Sequence, residues 1–219
     1  MTFVMLVMFL TSIQSLHAQT SRQWRDSLQV LNAQIRLFPS STDLRLRKAA
    51  INIELGQWEY ALEEYSRVLE IDSKNLAALY YRAYVNTTLR YYDLAKADYE
   101  RFLSIMPKNF EAQLGLAEVK RKMGRKMDAL NDYHQLVQLF PDSVYAYVAR
   151  ANFEVELEQY DVALFDWDEA IRRDPLNAGY VASKIDILVR LKRKKEVRKE
   201  IETAIKRGIP RAYFNSSSF

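Results

Sequence analysis

A chain of 219 residues that is 49% hydrophobic and 27% charged carries enough apolar material for a packed core and is not the composition of a disordered polypeptide. The absence of cysteine excludes disulfides, thiolate zinc sites, iron–sulfur clusters and cysteine nucleophiles, and five glycines with five prolines are too few for the turns of an all-β protein. Long helices are expected, and the formal net charge of +4 hides a marked asymmetry along the chain.

In chain order the first element is an apolar run, Phe3 to Ile13, followed by polar residues and by Ala18 before Gln19. The run is shorter than the roughly 20 residues a membrane span needs, and a small residue at position 18 suits signal-peptidase cleavage. A signal peptide over residues 1–18 is expected, with a periplasmic or secreted mature chain that has no stable membrane span. No Lys or Arg precedes the apolar core, which departs from the usual pattern and leaves open a buried N-terminal helix or a start further upstream.

Beyond the leader the chain repeats. Pro107, Pro141 and Pro175 stand 34 residues apart, and the same ruler reaches Ser73 and Pro39 backwards and Ile209 forwards. Twelve residues before these points come Ser27, Ala61, Ala95, Ala129, Ala163 and Val197, and four residues later Leu31, Tyr65, Tyr99, Tyr133, Trp167 and Ile201. An earlier small-residue series runs Ala49, Ala83, Ala117 and Ala151. Small residues at fixed points allow helix backbones to approach, and the bulky ones fill the space beside them. Breakers such as "LGQW" at Leu55–Trp58 and "MGRK" at Met123–Lys126 separate the two series, so each unit is predicted to be helix, turn, helix, turn.

The segment "LAALYYRAYVNTTLRYYDLAKADYERFLSIMPKN", with its small, aromatic, small and proline positions in step, resembles the tetratricopeptide repeat family. The resemblance covers a half-repeat over residues 19–41 and full units at 42–75, 76–109, 110–143, 144–177 and a divergent basic unit at 178–211, before a tail at 212–219. The last unit has Ile185 where a small residue is expected. The fold implied is all-α, a right-handed superhelical solenoid of helix-turn-helix repeats whose pairs share one core. The function implied is a non-catalytic adaptor that binds a peptide or protein segment in a groove lined by the first helices. The alternative is a structural subunit of a cell-envelope assembly that works through its edges and its basic end.

The stretch "ALFDWDEAIRRDP", Ala163–Pro175, is the one place where acids crowd together. Asp166 and Asp168 lie about 200° apart around a helix and cannot converge on one ion. Asp168 with Arg172 and Glu169 with Arg173 have the acid-before-base spacing of a solvated face, and Asp161 suits a helix start. Asp166 stands 16 residues after Arg150, and the same offset joins Arg82 to Asp98, Lys48 to Glu64 and Lys184 to Glu200; opposite Asp132 the base is replaced by Leu116. A recurring structural ion pair is expected rather than an acid/base site. His134 has no histidine partner, and phosphate loops, nucleophile elbows and zinc helices are missing. No catalytic residue, metal ligand or cofactor is therefore expected.

Carried over from the family, the groove residues would be Tyr80, Tyr84, Thr87, Glu118, Arg121, Tyr145, Val148, Asn152 and Asp186. The family's carboxylate clamp is missing, since its places carry Leu46, Ala50, Tyr84, Leu114 and Glu118. Residues 144–177 carry 3 basic and 8 acidic side chains, whereas 178–219 carry 11 basic and 4 acidic. The run containing Lys192, Arg193, Lys194 and Lys195 is expected to cap the repeat array or to meet an acidic partner. Nucleic acid is disfavoured by the leader and by the lack of a binding motif.

Overall fold

The computed structural model describes residues 21–214, so the expected signal peptide and the last five residues lie outside the described residues. Two compact units divide the chain, one ending at Pro107 and the other beginning at Lys108. In the first, α1 (21–37) precedes α2 (Thr42–Glu54), α3 (Trp58–Ile71), α4 (Leu76–Thr88) and α5 (Tyr92–Ile105). The second holds α6 (Phe110–Lys122), α7 (Lys126–Leu139), α8 (Val144–Glu156), α9 (Tyr160–Arg173), α10 (Ala178–Arg190) and α11 (Lys194–Arg207), then a short 3₁₀ turn, Arg211–Phe214. The fold is all-α, with no strand among the described residues. Helices pack in consecutive pairs, α2 with α3, α4 with α5, α6 with α7, α8 with α9 and α10 with α11. Neighbouring pairs join through α3 and α4 in the first unit and through α7 with α8 and α9 with α10 in the second.

Local chemistry explains the boundaries. Ser41, Asn75, Asn109 and Asn177 cap the first helices of their pairs, each side chain accepting from a backbone N–H of the first turn. Each first helix ends in a Schellman motif: in α2, Gln57 N–H donates to the Asn52 carbonyl at 2.8 Å and Gly56 N–H to that of Ile53 at 2.9 Å. That motif needs a left-handed residue, and the position recurs as Gly56, Arg90, Gly124, Glu158 and Lys192, with φ of 68°, 65°, 74°, 59° and 58°. Glycine takes this conformation freely, whereas an L side chain costs about 1 kcal/mol. Glu158→Gly and Lys192→Gly are each expected to raise stability by roughly 0.5–1 kcal/mol, and Gly56→Ala to lower it by about as much. Chemical denaturation of the three variants checks this.

The core follows the repeat. Ala49, Ala83, Ala117 and Ala151 on first helices, and Ala61, Ala95, Ala129 and Ala163 on second helices, are wholly buried. Tyr65, Tyr99, Tyr133 and Trp167 fill the adjacent space and are buried too. The divergent last pair forms in the same way, and Ile185 is enclosed in a cluster with Val181, Trp167 and Ala204.

The expected ion pairs are present. Arg82 reaches Asp98 at 2.6 Å, Arg150 reaches Asp166 at 2.6 Å, Lys48 reaches Glu64 at 2.7 Å, and Lys184 reaches Glu200 at 2.6 Å. Two expectations are corrected. Opposite Asp132 the base is not lost: Lys120, one helical turn after Leu116, takes the place at 2.7 Å. Asp168 binds not Arg172 but Lys184 on the next helix, at 2.6 Å, because Lys184 lies between helices α9 and α11 and can reach an acid on each. Glu169 pairs with both arginines, and they draw its carboxyl down to a pKa of about 2, while Arg173 also donates to the Pro141 carbonyl and the Tyr147 hydroxyl.

Candidate functional site

Among the described residues no group of three or more His, Asp and Glu side chains is placed to hold a metal ion. The acids of Ala163–Pro175 point to different partners: Asp166 is fully buried against Arg150, and Asp168 stands exposed beside Lys184. Three regions gather exposed aromatic or charged side chains or buried charge.

In the first unit, α2 and α4 form a cleft of about 250 Å³ lined by Leu46, Ala50, Ile53, Ala77 and Tyr81, with Tyr65 at its base and Glu54 at its rim. Tyr81 stacks on Tyr65 with ring centroids 5.9 Å apart, and Tyr84 meets Trp58 edge-on at 6.3 Å. Both tyrosines remain close to half exposed. Each ring is held by an aromatic beneath it while offering its other side and its hydroxyl, the form of a rigid contact residue. Tyr80 sits differently, half-buried with its ring against Tyr99 and Phe102 within the α4/α5 pair. Thr87 is half-buried and donates to the Ala83 carbonyl at 2.8 Å.

In the second unit the corresponding face of α6 and α8 is polar. A cleft of about 240 Å³ is lined by Glu118, Arg121, Asn152, Glu156 and the buried rings of Tyr133 and Phe153. The Arg121 guanidinium bridges the two helices, donating to Glu118 at 2.8 Å and to Glu156 at 2.7 Å. The Tyr133 hydroxyl donates to the other oxygen of Glu118, and burial together with that carboxylate pushes its pKa well above the ordinary tyrosine value. Tyr145 and Asn152 are exposed, Val148 packs against the apolar cluster of α9 and α10, and exposed Asp186 is held by Arg190 at 2.8 Å. Among the expected groove residues the structure therefore gathers Glu118, Arg121 and Asn152 into one cleft; Tyr81, Tyr65 and Glu156 were missed. Tyr81 stands three residues before Tyr84 on the same helix face, a spacing that could have found it.

The third region is a charge cluster between α7, α8 and α9. Glu154 is wholly buried, and neither of its oxygens has a hydrogen-bond partner among the described residues. Arg150 is 3.7 Å away but committed to Asp166, and the His134 ring approaches to 3.9 Å from α7. Burial, with the Asp166 charge, raises the Glu154 pKa to about 7, while burial and Arg150 lower that of His134. In the repeat frame Glu154 falls where the first two pairs bury Asn52 and Asn86. His134, without a histidine partner, thus faces a buried acid. In the basic run, Arg193 pairs with Asp161 at 2.6 Å, whereas Lys192, Lys194 and Lys195 form no ion pair among the described residues.

Helices packed in consecutive pairs and repeated at a fixed spacing define a helical repeat protein. Residues 114–178 match the family model for the tetratricopeptide repeat. Over those residues the chain carries the tetratricopeptide repeat that its sequence had implied, and solved structures of tetratricopeptide repeat proteins share its fold. A tetratricopeptide repeat protein from Parabacteroides merdae superposes with a TM-score of 0.68 at 21% identity, over 90% of this chain and 80% of its own. YrrB, a tetratricopeptide repeat protein with an unusual peptide-binding site, gives 0.60 at 20% identity, over 80% and 91%. MamA from Desulfovibrio magneticus gives 0.65 at 18% identity, over 80% and 97%. No curated protein sequence matches the chain.

Proposed function

We propose that this protein is a non-catalytic adaptor that holds a peptide or protein segment on the face made by the first helices of its pairs. One observation carries the reading: Tyr81, stacked on buried Tyr65, remains open in a largely apolar cleft, and Tyr84, one turn on and edge-on to half-buried Trp58, is open beside it. A prebuilt face of this kind costs the receptor little ordering on binding. The similarity to YrrB supports the same reading, since that protein has a peptide-binding site. The apolar run at Phe3–Ile13 and the small residue Ala18 support export to the periplasm or beyond, with cleavage after Ala18. Mass measurement of the mature chain from its native host tests the export reading, and a mass starting at Gln19 is expected.

The groove reading is tested by Tyr81→Ala combined with Tyr84→Ala, in affinity capture from the native envelope with the unaltered chain in parallel. Because both rings are near half exposed, the variant should fold, and the loss of two anchors of about 1–2 kcal/mol each should weaken capture by at least tenfold. Undiminished capture would reject the groove and favour a structural subunit of an envelope assembly that works through its edges.

A further inference from the structure

The last helix pair, α10 and α11, encloses a cleft of about 320 Å³ whose apolar lining is Val189, Val197 and Ile201 and whose rim is Lys192, Lys194 and Arg198. The repeat frame explains what the apolar part is. At the α7/α8 junction Ala129, Leu130 and Tyr133 receive Phe153 of the following helix, ring against ring at 5.1 Å. At the α9/α10 junction Ala163, Leu164 and Trp167 receive Ile187 in the same cluster. Shifted by 34 residues again, the receiving residues become Val197, Arg198 and Ile201. The cleft therefore presents the seat that two earlier pairs use for an apolar residue of an incoming helix.

One substitution distinguishes this seat. Leu130 and Leu164 are buried at the two internal junctions, and their counterpart is Arg198. Lys192, Lys194 and Arg198 make no side-chain hydrogen bond or ion pair among the described residues, although Arg190 and Arg193 nearby are paired. A wet cap would need charge but no open apolar cleft beneath it. We infer that this cleft docks an acidic amphipathic helix of a partner protein, which seats one large apolar side chain on Val197 and Ile201 and sets carboxylates against Lys192, Lys194 and Arg198. Carboxylates at the rim match three unpaired cations, and the internal junctions supply the apolar half of the fit. This site is separate from the first-helix face, and each reading stands or falls without the other.

The test uses the full chain and a fluorescein-labelled synthetic helix with a Phe and Leu stripe flanked by glutamates, followed by anisotropy. Saturable binding that weakens with salt is expected, at least tenfold weaker for Lys192→Glu/Lys194→Glu/Arg198→Glu, a variant of exposed side chains whose helicity should be unchanged. The same variant should bind a companion peptide with lysine in place of each glutamate, which the unaltered chain should refuse. Failure of the acidic peptide to bind, or equal binding of a peptide with Phe replaced by Ser, overturns the inference. So does tighter binding after removal of residues 215–219, which would give the cleft to the chain's own C-terminal segment. Binding to phosphatidylglycerol vesicles without the peptide, or self-association abolished by the triple variant, would assign it to a lipid surface or a second copy.

Discussion

Asp166→Ala is expected to lower the stability of the unit beginning at Lys108 by about 3 kcal/mol, the lower end for breaking a buried ion pair. The carboxylate is fully buried and takes two hydrogen bonds from the Arg150 guanidinium, at 2.7 and 2.6 Å. Removing it leaves a largely enclosed cation, and the cost is the desolvation of that cation more than the lost attraction. Glu154, 3.7 Å from the guanidinium, limits the loss because it can ionise and turn to the freed arginine. Asp166→Ala with Glu154→Gln removes that substitute, so the double variant is expected to lose more than the sum of the singles. Denaturant midpoints give all four corners of the cycle. Segment binding on the first-helix face should be nearly unchanged in Asp166→Ala, and a loss there with full stability would return the acid to the binding machinery.

Glu154→Gln is the second large effect, and it is an effect of pH. The folded-state pKa of Glu154 is raised from the ordinary 4.5 to about 7, first by burial and then by the Asp166 charge. A raised carboxyl pKa means that the folded protein holds the proton more tightly than the unfolded chain. Its favourable contribution is complete below about pH 4.5 and is lost as pH rises through 7. At 1.36 kcal/mol per unit the loss amounts to roughly 3 kcal/mol by pH 8. Glutamine stays neutral, so the variant should exceed the parent by up to about that amount at pH 8 and match it near pH 4. His134, whose ring lies 3.9 Å from Glu154, is coupled to that carboxyl, so the comparison is made in a His134→Asn background. A pH-independent gap between the two stability curves would show that Glu154 is ionised throughout.

Much of this molecule was legible as spacing. The 34-residue period placed the helix pairs, because a small residue at one point and a bulky one four residues later are packing instructions that survive without coordinates. The offset of 16 found Arg150–Asp166 and Arg82–Asp98, since both partners occupy fixed positions on the two helices of one pair. The same offset missed Lys120–Asp132, because a long flexible side chain one turn away reaches the same acid. The groove was less readable. Tyr80 and Tyr81 are adjacent on the chain and about 100° apart on the helix, and only packing decides that one ring turns into the α4/α5 pair and the other stays open.

The sequence by itself determined the fold class, the buried alanine and aromatic series, and the absence of cysteine chemistry, all of which depend on local period and composition. Tertiary structure alone decided which charges share an enclosure. Glu154 reads in the sequence as one acid among several on a helix, yet α7, α8 and α9 bring it to His134, Arg150 and Asp166 and leave its oxygens without a hydrogen-bond partner among the described residues. Tertiary structure likewise placed buried Val197 and half-buried Ile201 in the lining of a cleft whose cations Lys192, Lys194 and Arg198 form no ion pair among the described residues. The physical reason is common to both: periodicity fixes what faces a neighbouring helix, but desolvation and pairing depend on every group that the neighbours bring.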